Sequence, residues 1–306
     1  MKTYREIFKK ITQEVKEYQR EKDYKKFKKL DTHEHVGDDA DFEAFLEVMA
    51  EFNIEKTFLM PTGKNHERQR AALKAQAQYP DKFVAFGFLD TLGKEGENYL
   101  SSLIEQGIKG VKFLFWHPAV YPEKKIAFDS PEALNVFEIC AKRRLPVVAH
   151  LSLHNFPEQK EQLEHTLKKF PEHVFVIPHY LETAPELAVA SELLDAHANL
   201  YTDISMGGGK NRYVAYIQGF RKRFRSFFKK YQDRLFWGTD IFIEAKSVHE
   251  MNFYRERIRH DINMLDERFF YSPFFKESQF LQGLNFSDEI LEKVFYKNAE
   301  RVLSMP

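Results

Sequence analysis

The chain has 306 residues, 43% hydrophobic and 30% charged, with 46 basic residues balanced by 46 acidic ones. That composition supports a packed core and excludes global disorder, and zero net charge argues against whole-surface attraction to nucleic acid or membrane. The single cysteine, Cys140, rules out an intrachain disulfide and a cysteine-built zinc site; with no signal peptide and no 18-residue apolar run, a soluble cytoplasmic protein is expected.

Residues 1–26 read as a separate N-terminal helix. The first 30 residues carry eleven Lys/Arg against five Asp/Glu, and Tyr4, Ile7, Phe8, Ile11, Val15 and Tyr18 follow helical spacing. Such an amphipathic helix is expected to pack its apolar stripe on the main domain or on a subunit partner.

From residue 27 to 306 the pattern is one of alternation. Strand-like runs at 27–33, 55–60, 83–89, 108–115, 145–151, 173–179, 199–205 and 234–240 are separated by helical patterns near 41–52, 66–78, 94–105, 131–143, 158–169, 183–196 and 211–231. Alternating strands and helices imply right-handed βαβ crossovers and a parallel sheet. Eight units fit a (β/α)8 TIM barrel better than an open doubly wound sheet. Val36-Gly37-Asp38-Asp39 after the first strand is not the G-x-G-x-x-G of a dinucleotide site, which points the same way. Pro178, near the end of the sixth run, falls where ladder pairing stops. After strand 8 comes a long insertion, residues 241–287, with a helical stretch near 247–264 and the aromatic run Phe269–Phe275. Long loops on this face of a barrel build or cover active sites, so a substrate lid is expected there, with an oligomer contact as the alternative. Ser287 is the expected N-cap of a closing helix over 288–303, with Asp288 and Glu289 suiting its dipole.

The chemistry gathers at the strand ends. Asp31-Thr32-His33-Glu34-His35 ends strand 1, and side chains two apart on a strand share a face at roughly 6.6 Å. Alone this pair is weak, because a strand-end histidine is more often a satisfied polar residue than a ligand. It gains weight because His150, His179 and Asp240 end strands 5, 6 and 8, which a barrel brings to its catalytic end. Imidazole and carboxylate together suit zinc, with manganese also eligible, and three or four protein ligands plus an open position make a catalytic site. Such an ion would supply activated water and polarise a carbonyl. Asp240 could bind it and also move a proton, and His179 could hydrogen-bond the attacking group or an oxyanion. Asp31 reads as orienting a ligand histidine or as an interior polar group. Asp203, ending strand 7, is a candidate for substrate contact or for support of the ligands. Lys112 on strand 4 reads as a carboxylated bridge between two metals, as a cation for substrate, or as structural. His117 and His154 follow strands 4 and 5 and are candidates for substrate contact. Lys64, Asn65, His66 and Arg68 follow strand 2 and are further contact candidates, while Glu34 is expected to point away from the pair.

In this order the residues resemble the amidohydrolase superfamily, and more closely the branch that includes aminocarboxymuconate-semialdehyde decarboxylase-like proteins. The markers are Asp31-Thr-His-Glu-His35, Gly110-Val-Lys112, Leu145-Pro-Val-Val-Ala-His150, Pro178-His179, Trp237-Gly-Thr-Asp240 and Asn298-Ala-Glu-Arg-Val302, spanning about residue 27 to the C-terminus. The resemblance implies one divalent metal, expected to be zinc with manganese as the alternative, held by His33, His35, His150 and Asp240 with His179 beside it. It implies a metal-dependent hydrolase cleaving a C–N or C–O bond of a small molecule. A metal-dependent, non-oxidative decarboxylase of an aromatic or enoic acid is the alternative, and a non-catalytic metal-binding or interaction protein comes third. A small-molecule substrate is expected, no nucleic-acid or membrane partner is, and a homo-oligomer stays open.

Overall fold

The computed structural model describes residues 4–63, 66–114, 126–205, 210–244, 248–274 and 280–303. Helix α1 (Tyr4–Glu21) leads into β1 (Lys29–Val36), α2 (Phe42–Phe52), β2 (Ile54–Pro61) and α3 (His66–Gln78). Then come β3 (Phe83–Ala85), β4 (Gly87–Leu89), α4 (Gly93–Glu105), β5 (Val111–Phe113), α5 (Pro131–Arg143), β6 (Val147–Ala149), α6 (Glu158–Lys169) and β7 (Phe175–Val176). The four-residue α7 (Pro178–Leu181) precedes α8 (Ala188–Ala196), β8 (Leu200–Asp203), α9 (Lys210–Tyr231), β9 (Leu235–Phe236), β10 (Phe242–Ile243) and α10 (Val248–Asp266). An antiparallel pair, β11 (Phe269–Tyr271) and β12 (Phe280–Gln282), stands before α11 (Asp288–Glu292), a π-helical turn (Lys293–Lys297) and α12 (Asn298–Leu303).

The strands form a (β/α)8 TIM barrel. Two parallel runs, β10-β1-β2-β3 and β4-β5-β6-β7-β8-β9, meet at Phe86, where the third barrel strand is interrupted. Phe86 N donates to Leu59 O (3.0 Å) and Gly87 N to Gly110 O (2.8 Å), so the ladder passes through the break. On the far side Thr32 N donates to Trp237 O (3.1 Å) and Asp240 N to His33 O (2.7 Å), tying β1 to the segment after β9. That approach depends on Gly238, because a Cβ there would lie 2.8 Å from the His33 Cβ.

Local sequence explains the helix limits. Asp41 caps α2 by accepting from Ala44 N, and Ser130 caps α5 by accepting from Ala133 N ahead of Pro131. Ser287 takes the expected cap position before α11, but its side chain makes no capping bond. The helix it starts passes through the π-turn, and Asn298 Nδ2 ties it to Gln232 O and Leu235 O.

Inside the barrel, Leu30, Phe58, Met60, Val84, Phe86, Val148, Val176, Tyr201 and Phe236 make an apolar plug. Burying each such side chain is worth about 1.5–3 kcal/mol. Further along the strands, toward their C-terminal ends, the interior turns polar at Lys112, His33 and Asp203, all buried. The plug is the floor on which the site stands.

Of the N-terminal stripe, Val15 is half-buried while Ile11 and Tyr18 are exposed, and the Tyr18 hydroxyl donates to Glu267 Oε1 (3.3 Å). Beside it the contacts with the insertion are polar: Gln19 Oε1 accepts from Tyr271 N (2.9 Å), and Lys16 Nζ lies 4.1 Å from the centre of the Tyr271 ring. The insertion after β9 rests on α2, with Arg255 and Arg259 paired to Glu51. Among its described residues, Phe242 reaches the barrel mouth, where its ring stacks on His35 at 4.7 Å. Among the described residues no helix is long and apolar enough to cross a membrane.

Candidate metal centre

A register shift in the β1–β2 pairing between Asp31 and Glu34 kinks the end of β1. His33 and His35 leave the kink on one side, their ring centroids 5.1 Å apart. Asp240, in the left-handed region at φ 52°, sends Oδ1 to 3.0 Å from His35 Nε2 and 3.5 Å from His33 Nε2. A tetrahedral ion with bonds of about 2.0–2.1 Å holds its ligands roughly 3.3 Å apart, so this triad fits one.

The other ring nitrogens are committed. His33 Nδ1 lies 2.7 Å from Asp203 Oδ2, and His35 Nδ1 lies 2.9 Å from Met60 O and 3.3 Å from Thr62 Oγ1. A carbonyl and a carboxylate can only accept, so Nδ1 carries the proton and Nε2 keeps its lone pair for the centre. His179 follows the same rule: Nδ1 faces Ser205 O (3.0 Å) and Ser205 Oγ (2.9 Å), and that hydroxyl is itself committed to Asp203 Oδ1 (2.6 Å). His179 Nε2 therefore points a lone pair toward Asp240 Oδ2, 3.8 Å away.

Charge is concentrated here. Burial pushes the Asp203 carboxyl up, but His33, Ser205 and His179 outweigh it and hold Asp203 below the usual carboxylate range. Burial likewise opposes ionisation of Asp240, and the surrounding His33, His35 and His179 hold it well below that range. Burial, with Lys112 nearby, drives His33 down to about 4. A neutral His33 imidazole facing the ionised Asp240 carboxylate is the state a cation requires.

Beneath the ligands a second carboxylate pair is sealed in. Asp31 accepts from His33 N and Thr239 N (both 3.1 Å) and from Thr239 Oγ1 (2.7 Å), and the same hydroxyl approaches Glu34 Oε2. Burial pushes Asp31 up to about 7 and Glu34 well above its usual value. Asp31 thus holds the backbone of β1 against the Asp240 turn, while the ring of His33 is held by Asp203.

The remaining candidates divide between the centre and its surroundings. Lys112 is enclosed, with Nζ 3.1 Å from His33 Nε2, and burial lowers it to about 8. His154 is exposed, its backbone N donating to Glu182 O. His66 pairs with Tyr99 OH, and Arg68 grips Asp38 through Nε and Nη2 while Nη1 donates to Thr62 O. His117, Lys64 and Asn65 lie outside the described residues. His150 groups with His179 and Glu182, its ring 4.9 Å from that of His179, which in turn stacks on His33 at 5.3 Å. Sequence reasoning missed Glu182, Ser205 and Thr239, which carry no periodicity or spacing signal.

Residues 24–305 match the amidohydrolase family model. The chain belongs to the amidohydrolase family. Solved structures similar to this amidohydrolase include a probable 2-pyrone-4,6-dicarboxylic acid hydrolase from Acinetobacter baumannii with citric acid bound. It is 18% identical, covers 91% of this chain and 100% of its own, and superposes with a TM-score of 0.62. A Burkholderia multivorans amidohydrolase with bound zinc is 13% identical over 91% of this chain and 100% of its own, TM-score 0.57. A 2,6-dihydroxybenzoate decarboxylase from Rhizobium is 11% identical over 91% and 99%, TM-score 0.56. At such identities these neighbours speak for the fold alone. The search of curated proteins found no match.

Proposed function

We propose that this chain is a metal-dependent hydrolase that cleaves a C–N or C–O bond (amide, cyclic amide, ester or lactone) of a small molecule. The observation that carries the reading is the convergence of His33 Nε2, His35 Nε2 and Asp240 Oδ1, with both histidine Nδ1 atoms already engaged. These three residues would hold a divalent ion, zinc or manganese, which when bound supplies Lewis acidity and a nucleophilic water at neutral pH.

The chain's own residues do the rest. Asp240 stays ionised, and its Oδ2, on the His179 side, accepts the proton of the attacking water and returns it to the leaving group. His179 Nε2 accepts a hydrogen bond from that water and orients it. Asp203 and Met60 O fix the tautomers of His33 and His35. Loss of a carboxylate would call for a cation on the substrate, a part that Lys112, with Nζ 3.1 Å from His33 Nε2, could take, so decarboxylation stays the alternative.

The test is elemental analysis of the purified chain beside His33→Ala and Asp240→Ala, followed by a panel of esters, lactones, amides and aromatic acids. Bound zinc or manganese lost in the variants, with hydrolytic turnover, is the expected result. Release of carbon dioxide without hydrolysis would make the chain a lyase, and metal without turnover would make it a binding protein.

A further inference from the structure

Asp240 sits in a turn that L-residues avoid, at φ 52°, and such a conformation persists only where its surroundings dictate it. One side of the turn is held by β1. Asp240 N donates to His33 O (2.7 Å), His35 N to Ile241 O (2.8 Å) and Gly37 N to Ile243 O (3.1 Å). β10 stands at the end of its run of strands, and along a strand successive peptide groups face opposite sides. The Phe242 carbonyl and the Glu244 N–H therefore point away from β1.

Helix α10 of the insertion meets that other side. The hydroxyl of Tyr254, a buried residue, accepts from Glu244 N (2.9 Å) and donates to Phe242 O. A residue on a neighbouring parallel strand would engage the same N–H and carbonyl, so one hydroxyl stands in for a strand. One helical turn on, the buried Arg257 sends Nη2 to Thr239 O (3.4 Å), with Nε 3.9 Å from Asp261 Oδ2. Thr239 N and Oγ1 already donate to Asp31, so the residue before Asp240 is gripped from two directions. The helix is itself anchored: Arg255 and Arg259 pair with Glu51 of α2, and Lys22 pairs with Asp266 at its end (2.7 Å).

We propose that α10 braces Asp240 against the barrel, with Tyr254 and Arg257 as positioning residues that act through the backbone of residues 239–244. This rests on the reading that His33, His35 and Asp240 hold an ion. The brace keeps Asp240 Oδ1 at 3.0 Å from His35 Nε2, and it keeps the Phe242 ring stacked on that of His35 at 4.7 Å. Without it the segment retains its bonds to β1 on one side only. The left-handed residue then relaxes, and Oδ1 withdraws from the two Nε2 atoms. Groups that stand behind a ligand and fix its place set metal affinity in this way.

The experiment measures zinc affinity of the chelator-stripped full chain by calorimetry, beside urea unfolding in chelator, for wild type, Tyr254→Phe, Arg257→Met and Leu163→Ala. Tyr254→Phe removes only a hydroxyl and leaves the ring packed against Phe45, 6.1 Å away. Leu163 is buried on α6, outside the segment that α10 holds, and reports the effect of lost stability alone. Tyr254→Phe and Arg257→Met should each weaken zinc binding at least threefold. Leu163→Ala should destabilise the metal-free chain and change zinc binding less than threefold. A change below threefold in one α10 variant, on a wild type that binds zinc, would strike that residue from the brace. Changes below threefold in both would overturn the brace and leave the metal site standing; if Arg257→Met does not fold, Tyr254→Phe decides. A loss of threefold or more in Leu163→Ala would also overturn it, because any weakening of the fold would then do the same. A wild type that takes up no zinc would remove the metal reading, and the brace with it.

Discussion

Replacing Asp203 with asparagine keeps the shape of a side chain on which four donors converge and removes its charge. Oδ1 accepts from His179 N, Ser205 N and Ser205 Oγ at 3.0, 3.1 and 2.6 Å, so the asparagine oxygen should stay there. The new NH2 then faces His33 Nδ1, where the carboxylate oxygen sat at 2.7 Å. Two donors cannot share that contact. The His33 proton moves to Nε2, the atom that lies 3.5 Å from Asp240 Oδ1 and that a cation needs. Losing such an orienting partner weakens metal binding about 10–100-fold, or roughly 1.4–2.7 kcal/mol. The metal-free protein should also lose about 1.5–3 kcal/mol with the charge-assisted bond. Competition between stripped protein and a chromophoric chelator for zinc measures the first, and urea unfolding in chelator the second. A zinc Kd within twofold of wild type would refute the argument that Asp203 sets the tautomer of His33.

Three further outcomes follow from the packing. Burial drives His173 down to about 4, below its unfolded value near 6.5, so between those pH values the unfolded chain binds more protons and stability falls as pH falls. The stability advantage of His173→Phe over wild type should therefore grow by about 2–3 kcal/mol from pH 7 to pH 4 in urea melts, and a constant difference would contradict this. Gly238→Ala places a Cβ 2.8 Å from that of His33; it should cost about 1–3 kcal/mol and weaken zinc binding, and an unchanged melting temperature would count against the tight approach. Cys140 is buried, with its thiol pushed up to about 12, so a thiol reagent should label it promptly only in denaturant, and fast labelling of the folded chain would be inconsistent with its place in the core.

Much of the centre could be read from the chain because strand periodicity is local. A ligand at the end of a strand-like run reaches the mouth once the runs close into a barrel, so His33, His35, His179 and Asp240 converge as the pattern suggests. Asp203 was legible as a residue of that rim, but its grip on the His33 ring was not. Distance along the chain says nothing about which carboxylate meets which imidazole. The same limit hid Ser205 and Thr239.

By itself the sequence determined the repeating strand–helix order, the end of the barrel where the candidate ligands gather and the donor types found there. These follow from burial of alternating side chains and from the fixed direction of parallel strands. Tertiary structure alone decided the rest. The burial of Lys112 against His33, and the left-handed turn that brings Glu182 to His150, depend on neighbours far away in the chain. Only the closed barrel fixes those distances, because its packing dictates backbone and protonation states that the isolated segments would not adopt.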